Sequence, residues 1–167
     1  MKRILILVFV VTLATASLSA QCPLPVGGKQ VNAGIGLSGW GLPVYAGFDV
    51  GVHRDITVGL EGSFRSYIER INHVNYTNSI IGITGNGNYH FNTLLNIPSQ
   101  WDFYAGLNLG FYIWSSPADY PGTHASGVGL GGQVGGRYFL NKNFGLNLEL
   151  GGGSTTAGGK FGITFIL

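Results

Sequence analysis

The feature that most constrains this chain is an alternation of period two that recurs in eight separate stretches. Val31, Ala33, Ile35 and Leu37 alternate with Asn32, Gly34, Gly36 and Ser38; Val44, Ala46, Phe48, Val50 and Val52 alternate with Tyr45, Gly47, Asp49, Gly51 and His53. The pattern returns over 56–65, 81–91, 101–113, 128–138, 144–150 and 161–167. It is clearest in the fifth stretch, where Trp101, Phe103, Ala105, Leu107, Leu109, Phe111 and Ile113 share one parity. Successive side chains of a β-strand point to opposite faces, so each stretch has one apolar face and one small or polar face. No window holds a helical i, i+3, i+4, i+7 pattern for three turns, and glycine, at 29 positions, would weaken any helix that formed. An all-β chain of eight antiparallel strands follows.

Parity alone does not say whether the apolar face meets a core or lipid, and here composition decides. Charged residues make up 10% of the chain, against roughly 25–35% expected of a soluble surface. The face opposite the apolar one is mostly Gly, Asn, Ser, Thr and Tyr. The apolar face therefore points outward, and the expected fold is an eight-stranded antiparallel up-and-down transmembrane β-barrel. Strand plus connection averages roughly 18 residues, which suits membrane strands of about 9–11 residues with their turns. Connections after strands two and six are tight (53–55 and 140–143), and those after strands three and five are longer and polar (67–78 and 115–126). The segment 92–100 breaks this alternation by being long where a short turn is expected. Tyr89, Phe91, Trp101, Phe103, Tyr138, Phe144 and Phe165 fall at the strand ends near the tight turns, while Phe64, Phe111 and Phe161 approach the other rim. Aromatic girdles at the two membrane interfaces have this distribution.

Lys2 and Arg3, the apolar run 4–13 and the small-residue stretch 14–20 have the order of a secretory signal peptide, too short to span a bilayer as a helix. The expected organisation is a signal peptide over 1–20, a leader over 21–29 and the barrel over 30–167. Removing Lys2 and Arg3 from nine basic residues leaves seven, against seven acids, so the exported chain is neutral. With no clustered Lys and Arg, a nucleic-acid partner is not expected. Cys22 is the sole cysteine, so no intrachain disulfide forms. Lipid attachment there would want a small residue before it, which Gln21 is not; the thiol reads as a tolerated leader residue.

The chain resembles the small eight-stranded outer-membrane β-barrels of Gram-negative bacteria. The resemblance lies in Gly87-Asn88-Tyr89-His90-Phe91-Asn92 leading into Trp101-Asp102-Phe103-Tyr104-Ala105-Gly106, in Gly135-Gly136-Arg137-Tyr138-Phe139 with Asn143-Phe144-Gly145-Leu146, and in Gly162-Ile163-Thr164-Phe165. Barrels of this type usually end in an aromatic residue, and this chain departs from that with Leu167. The resemblance implies an outer-membrane location after export, a monomer, outer-membrane lipids and lipopolysaccharide as surroundings, and the outer-membrane assembly machinery as a partner during biogenesis.

Gly34-x-Gly36-x-x-Gly39 and Gly127-x-Gly129-x-x-Gly132 match the dinucleotide fingerprint, but neither opens a helix. Glycine on the inward face instead leaves room for Tyr104 and Tyr112. His124-Ala125-Ser126 resembles the catalytic pair of barrel-type lipid A deacylases, yet the nearest downstream acid, Glu149, has inward parity, so the third member needed to orient the histidine is missing. His53, His73, His90 and His124 lack metal-ligand spacing. No cofactor, metal or catalytic residue is therefore expected. The inward face carries Asp49, Glu61, Arg65, Gln133, Arg137, Glu149 and Lys160, a polar cluster of structural or gating role. Asp49 and Glu61 fall near mid-depth on neighbouring strands, with Arg65 or Arg137 the candidate cations to neutralise them. The expected function is that of a non-enzymatic integral outer-membrane protein, structural or surface-interacting through the outer loops. A narrow gated channel is the first alternative and a lipid A-modifying enzyme the second.

Overall fold

The computed structural model describes residues 24–39, 41–123, 125–153 and 158–167. The signal segment, Cys22 and His124 lie outside the described residues. Eight strands follow one another: β1 (Lys29–Leu37), β2 (Val44–His53), β3 (Ile56–Ile71), β4 (Val74–His90), β5 (Trp101–Ser115), β6 (Gly127–Phe139), β7 (Phe144–Gly153) and β8 (Gly158–Ile166). Each pairs antiparallel with the next, and β1 pairs with β8 from Gln30↔Ile166 to Leu37↔Gly159, closing the barrel. Closure removes the exposed strand edges that would otherwise invite aggregation and that lipid cannot hydrogen-bond.

Side chains point as parity requires. Leu107, Val128 and Leu130 are 70% or more exposed on the outer face, whereas Gln30, Asp49, Asn108 and Arg137 are buried inside. Such an exterior is stable only against lipid tails. Its upper edge runs across five strands through neighbours Ile35, Val44, Phe64, Ile81 and Ile113. Its lower edge is aromatic: Trp101 stacks on Phe103 at 5.6 Å and lies 4.6 Å from Tyr138, and Tyr89 meets Phe91 edge-on at 5.5 Å.

The wall is uneven in height. β3, β4 and β5 have 16, 17 and 15 residues, against 9 or 10 in β1, β2, β7 and β8. The segment 67–78, expected as a loop, is instead the continuation of the β3–β4 ladder up to Ile71↔Val74. Asn72 and His73, at φ 50° and 66°, close it as a two-residue turn. Positive φ at both central residues matches the right-handed twist of the flanking strands. The segment reads as a loop because Ser66, Asn75, Thr77 and Ser79 replace the apolar outward residues above the lipid, which erases the alternation but not the pairing. The outer connection after β5 is correspondingly 116–126, since Ser115 still belongs to the strand.

At the opposite end the start of β1, the C-terminus and the tight turns gather. The long segment after β4 holds a single helical turn, α1 (Asn92–Leu95), ended by Asn96 in the left-handed region. Residues 24–28 of the leader fold back into the barrel mouth. The Gly27 N–H donates to Gly51 O at 2.8 Å and the Gly51 N–H to Gly28 O at 3.0 Å. A side chain at Gly51 would collide with the Pro25 carbonyl, so this docking needs glycine there. It buries Leu24 against Phe139 and Ile166 as an apolar floor.

Candidate functional site

The polar groups of the lumen lie in layers fixed by strand register. Just above the floor, Arg137 near the end of β6 donates through Nη1 to Asp102 Oδ2 at 2.9 Å and through Nη2 to Asp49 Oδ2 at 3.3 Å. Asp49 Oδ2 also accepts from Gln30 Nε2 and Asn32 Nδ2, each at 2.8 Å. Asp102 Oδ1 lies 2.6 Å from His90 Nδ1, and His90 Nε2 lies 3.0 Å from Thr57 Oγ1. The guanidinium carbon of Arg137 sits 4.4 Å above the Tyr104 ring. One arginine thus holds two carboxylates, with two amides also on Asp49 Oδ2 and the His90 imidazole on Asp102 Oδ1, so the buried charges are paired and hydrogen-bonded, and of these groups Arg137 Nε is left without a partner.

An amide belt comes next. Gln133 Nε2 donates to Asn88 Oδ1 at 2.7 Å, and Asn108 Nδ2 donates to Gln133 Oε1 at 2.8 Å. Beside it, Lys160 Nζ on β8 reaches Glu61 Oε1 on β3 at 2.7 Å and Glu149 Oε1 on β7 at 3.1 Å. Glu149 Oε2 accepts from the Tyr104 hydroxyl at 2.9 Å, which ties this layer to the one below. Towards the outer end, Arg65 Nη1 donates to Ser38 Oγ at 3.1 Å, and its guanidinium carbon lies 5.9 Å from the Tyr112 ring centre.

The seven residues singled out by inward parity thus divide. Asp49 and Arg137 meet; Glu61, Glu149 and Lys160 meet; Gln133 joins the amide belt; Arg65 stands apart from every acid. The expectation that an arginine neutralises Glu61 is corrected, because that role falls to Lys160, which closure of the barrel brings across the lumen. His90 and Asp102 were missed, although their parity, opposite to Tyr89, Trp101 and Phe103, points them inward. Their position at the strand ends hid them among turn residues.

Little room is left between these groups. Among the described residues, two voids in the lumen measure about 20 and 40 Å³, and one water needs roughly 10–15 Å³. Neither void is lined by Thr57 or His90. The hydroxyl–imidazole–carboxylate line Thr57–His90–Asp102 resembles a hydrolytic triad in connectivity, but all three residues are buried to about 1% exposure with no access for a substrate. Ser126 Oγ accepts from the Trp114 backbone N–H at 3.1 Å, and Glu149 is bound inside the lumen. The fingerprint glycines lie in or beside strands β1 and β6 rather than at a helix. Among the described residues no three of His, Cys, Asp and Glu gather to hold a metal.

Above the lipid, the inner side of the tall wall carries aromatic rings. Tyr67 meets Trp114 edge-on at 6.3 Å, and Tyr76 meets Tyr120 at 5.5 Å. Tyr120 reaches over from 116–126 to donate its hydroxyl to Glu69 Oε2 at 2.7 Å. That bond to a carboxylate pushes the Tyr120 hydroxyl up to about 12.

No protein-family model and no curated protein sequence matches the chain. Solved structures do. The outer membrane protein OprG of Pseudomonas aeruginosa is 10% identical with a TM-score of 0.65, the match covering 90% of this chain and 99% of OprG. The N-terminal β-barrel domain of Pseudomonas aeruginosa OprF is 16% identical with a TM-score of 0.56, covering 85% and 98%. The Yersinia pestis outer membrane protein Ail, determined in a phospholipid bilayer nanodisc, is 11% identical with a TM-score of 0.54, covering 84% and 99%. The fold of this chain is that of small eight-stranded outer-membrane barrels.

Proposed function

We propose that this chain is an integral outer-membrane barrel that neither conducts nor catalyses, and that it acts through its outer end. The observation that carries the reading is the filled lumen. Its described voids measure about 20 and 40 Å³, ion pairs cross it at two levels, Arg137 to Asp49 and Lys160 to Glu61, and Leu24, Phe139 and Ile166 floor it. An eight-stranded barrel is just wide enough for side chains to fill. The apolar exterior and the likeness in fold support the membrane location, with outer-membrane lipids and lipopolysaccharide around the barrel and the assembly machinery as its partner during insertion. A single chain closes the sheet by itself, which supports a monomer.

What remains for function is the wall that rises above the lipid. Most residues on its faces are polar or aromatic, with Ile68 and Val74 exposed among them, and it is stiffened by a continuous ladder, so it presents side chains in fixed positions as recognition surfaces do. The channel alternative requires the Lys160 pairs and the floor to move together. Planar bilayers separate the two readings: the purified protein should show no steady conductance, and a stable open level would refute the closed barrel. Replacing 68–77 by Asn-Gly, which joins the paired residues Tyr67 and Asn78, should leave heat-modifiable assembly intact while removing the surface activity. Retention of adhesion or ligand uptake by cells carrying the trimmed barrel would locate function elsewhere.

A further inference from the structure

Every acid of the chain has a described position. Asp49 and Asp102 hold Arg137, Glu61 and Glu149 hold Lys160, Glu69 takes bonds from Tyr120 and Asn78, and Asp55 and Asp119 lie in connections at opposite ends. The positions outside the described residues contain no Asp or Glu. Arg65 has no carboxylate within ion-pair distance, although it is only 8% exposed. One donor of its guanidinium meets Ser38 Oγ and its flat face lies towards Tyr112. The rest of the group borders the void of about 40 Å³, which Ser63, Tyr112 and Lys160 also line. Glu61 lines it too, its carboxylate held by Lys160, and Leu37, Pro43 and Gly158, at or beside the outer ends of strands, place the void towards the outer mouth.

A largely buried guanidinium costs free energy unless a counter-charge reaches it. Here the chain supplies none within ion-pair distance, and the void lies towards the outer end. We propose that Arg65, with the Ser63 hydroxyl, forms a seat for a small oxyanion group, a sulfate, phosphate or carboxylate, that enters the outer mouth from solution. Ser38, whose hydroxyl donates to Gly41 O, holds the guanidinium in place, the guanidinium's other donors face the group's oxygens, and Ser63 adds a hydroxyl. Lys160 is already matched by two glutamates and sits deeper, so it does not compete as the ligand's main partner. The void holds one head group and not a sugar ring or nucleotide. Two residues further along the same faces come Tyr67 and Trp114, whose ring pair lies where the body of a ligand would leave the seat. Lipid phosphates lie outside the wall, whereas Arg65 faces the axis, which favours a dissolved group or the terminal group of an external polymer. The seat rests on the reading that the outer end is the functional end, and it gives that end a ligand chemistry.

The test uses the full barrel in neutral maltoside micelles, free of lipid phosphate, and follows unfolding and the guanidinium ¹⁵N–¹H signals of Arg65 as sodium sulfate or phosphate replaces chloride at constant ionic strength. Saturable stabilisation with a shift of the Arg65 signals is expected. Arg65→Gln should weaken the response at least about tenfold, as loss of a charge-assisted pair does, while Arg54→Gln in the opposite turn should leave it unchanged. Should Arg65→Gln fail to assemble, the wild-type signals decide alone. Unmoved Arg65 signals, or an equal response in Arg65→Gln, overturn the seat. A response only in nanodiscs containing lipopolysaccharide would assign the group to lipid and overturn the dissolved ligand. Conductance is read separately: a barrel that conducts yet binds sulfate at Arg65 refutes the closed reading and leaves the seat standing.

Discussion

Removing Arg137 should be the most damaging single change to the lumen. The side chains of Arg137, Asp49 and Asp102 are 4%, 4% and 2% exposed, so none can recover hydration without opening the barrel. Breaking a buried pair typically costs about 3–5 kcal/mol, mostly from the charge left behind. Asp49 would keep Gln30 and Asn32 as donors and Asp102 would keep His90, which argues for the lower end. The contact with the Tyr104 face is lost too, adding about 2 kcal/mol in a desolvated setting. Arg137→Met, which keeps much of the stem's bulk, should therefore lower stability by about 4–5 kcal/mol. Equilibrium urea unfolding in phospholipid vesicles, followed by tryptophan fluorescence, measures it. Adding Asp49→Asn and Asp102→Asn should recover a large part, whereas adding Glu61→Gln should not, because Glu61 belongs to Lys160. If Arg137→Met unfolds within about 0.5 kcal/mol of wild type, the size expected of neutral surface changes, these charges are hydrated and the filled-lumen argument fails.

Leu107 faces lipid in mid-strand, so Leu107→Arg should cost about 2–4 kcal/mol and reduce the heat-modifiable, assembled fraction in outer membranes. A fully assembled, abundant variant would contradict the membrane-facing exterior. Glycines on β6 should differ by face: a Cβ at Gly135 would enter the Tyr104 ring, whereas at Gly132 its nearest neighbour is 3.7 Å away. Gly135→Ala should cost about 1–3 kcal/mol as overpacking does and Gly132→Ala close to nothing, in the same unfolding assay.

Parity is a local property, which is why facing direction is legible in the lipid-spanning stretches while side-chain pairing is not. The inward set Asp49, Glu61, Arg65, Gln133, Arg137, Glu149 and Lys160 follows from counting along each strand. That Lys160 binds Glu61, 99 residues away, depends on closure and on the stagger of eight strands, which no single stretch records. His90 and Asp102 obey the same parity and were within reach of it; their place beside a turn concealed them. The tall hairpin was illegible for another reason. Once a strand leaves the bilayer, nothing requires its outward residues to be apolar, so only the Asn72-His73 turn and the ladder mark it as β-structure.

β3 carries one inward group at each depth, Thr57 in the floor network, Glu61 at Lys160, Ser63 and Arg65 at the mouth and Glu69 above the lipid, with about 3.3 Å of strand per residue. The deep charges are matched by the chain itself, and the unmatched one lies where a solute can reach it. If that is why Arg65 lacks a carboxylate partner, supplying one should replace the solute. Ser63 shares the inward face of β3 with Arg65 two residues on, and both border the same void. Ser63→Glu should therefore raise stability in chloride by about 1 kcal/mol, a modest value because water also reaches the mouth, and should abolish the extra stabilisation by sulfate. Chloride and sulfate titrations of wild type and Ser63→Glu, followed by urea unfolding, make the comparison. A variant that sulfate still stabilises as it does wild type would show that the anion response does not arise at Arg65.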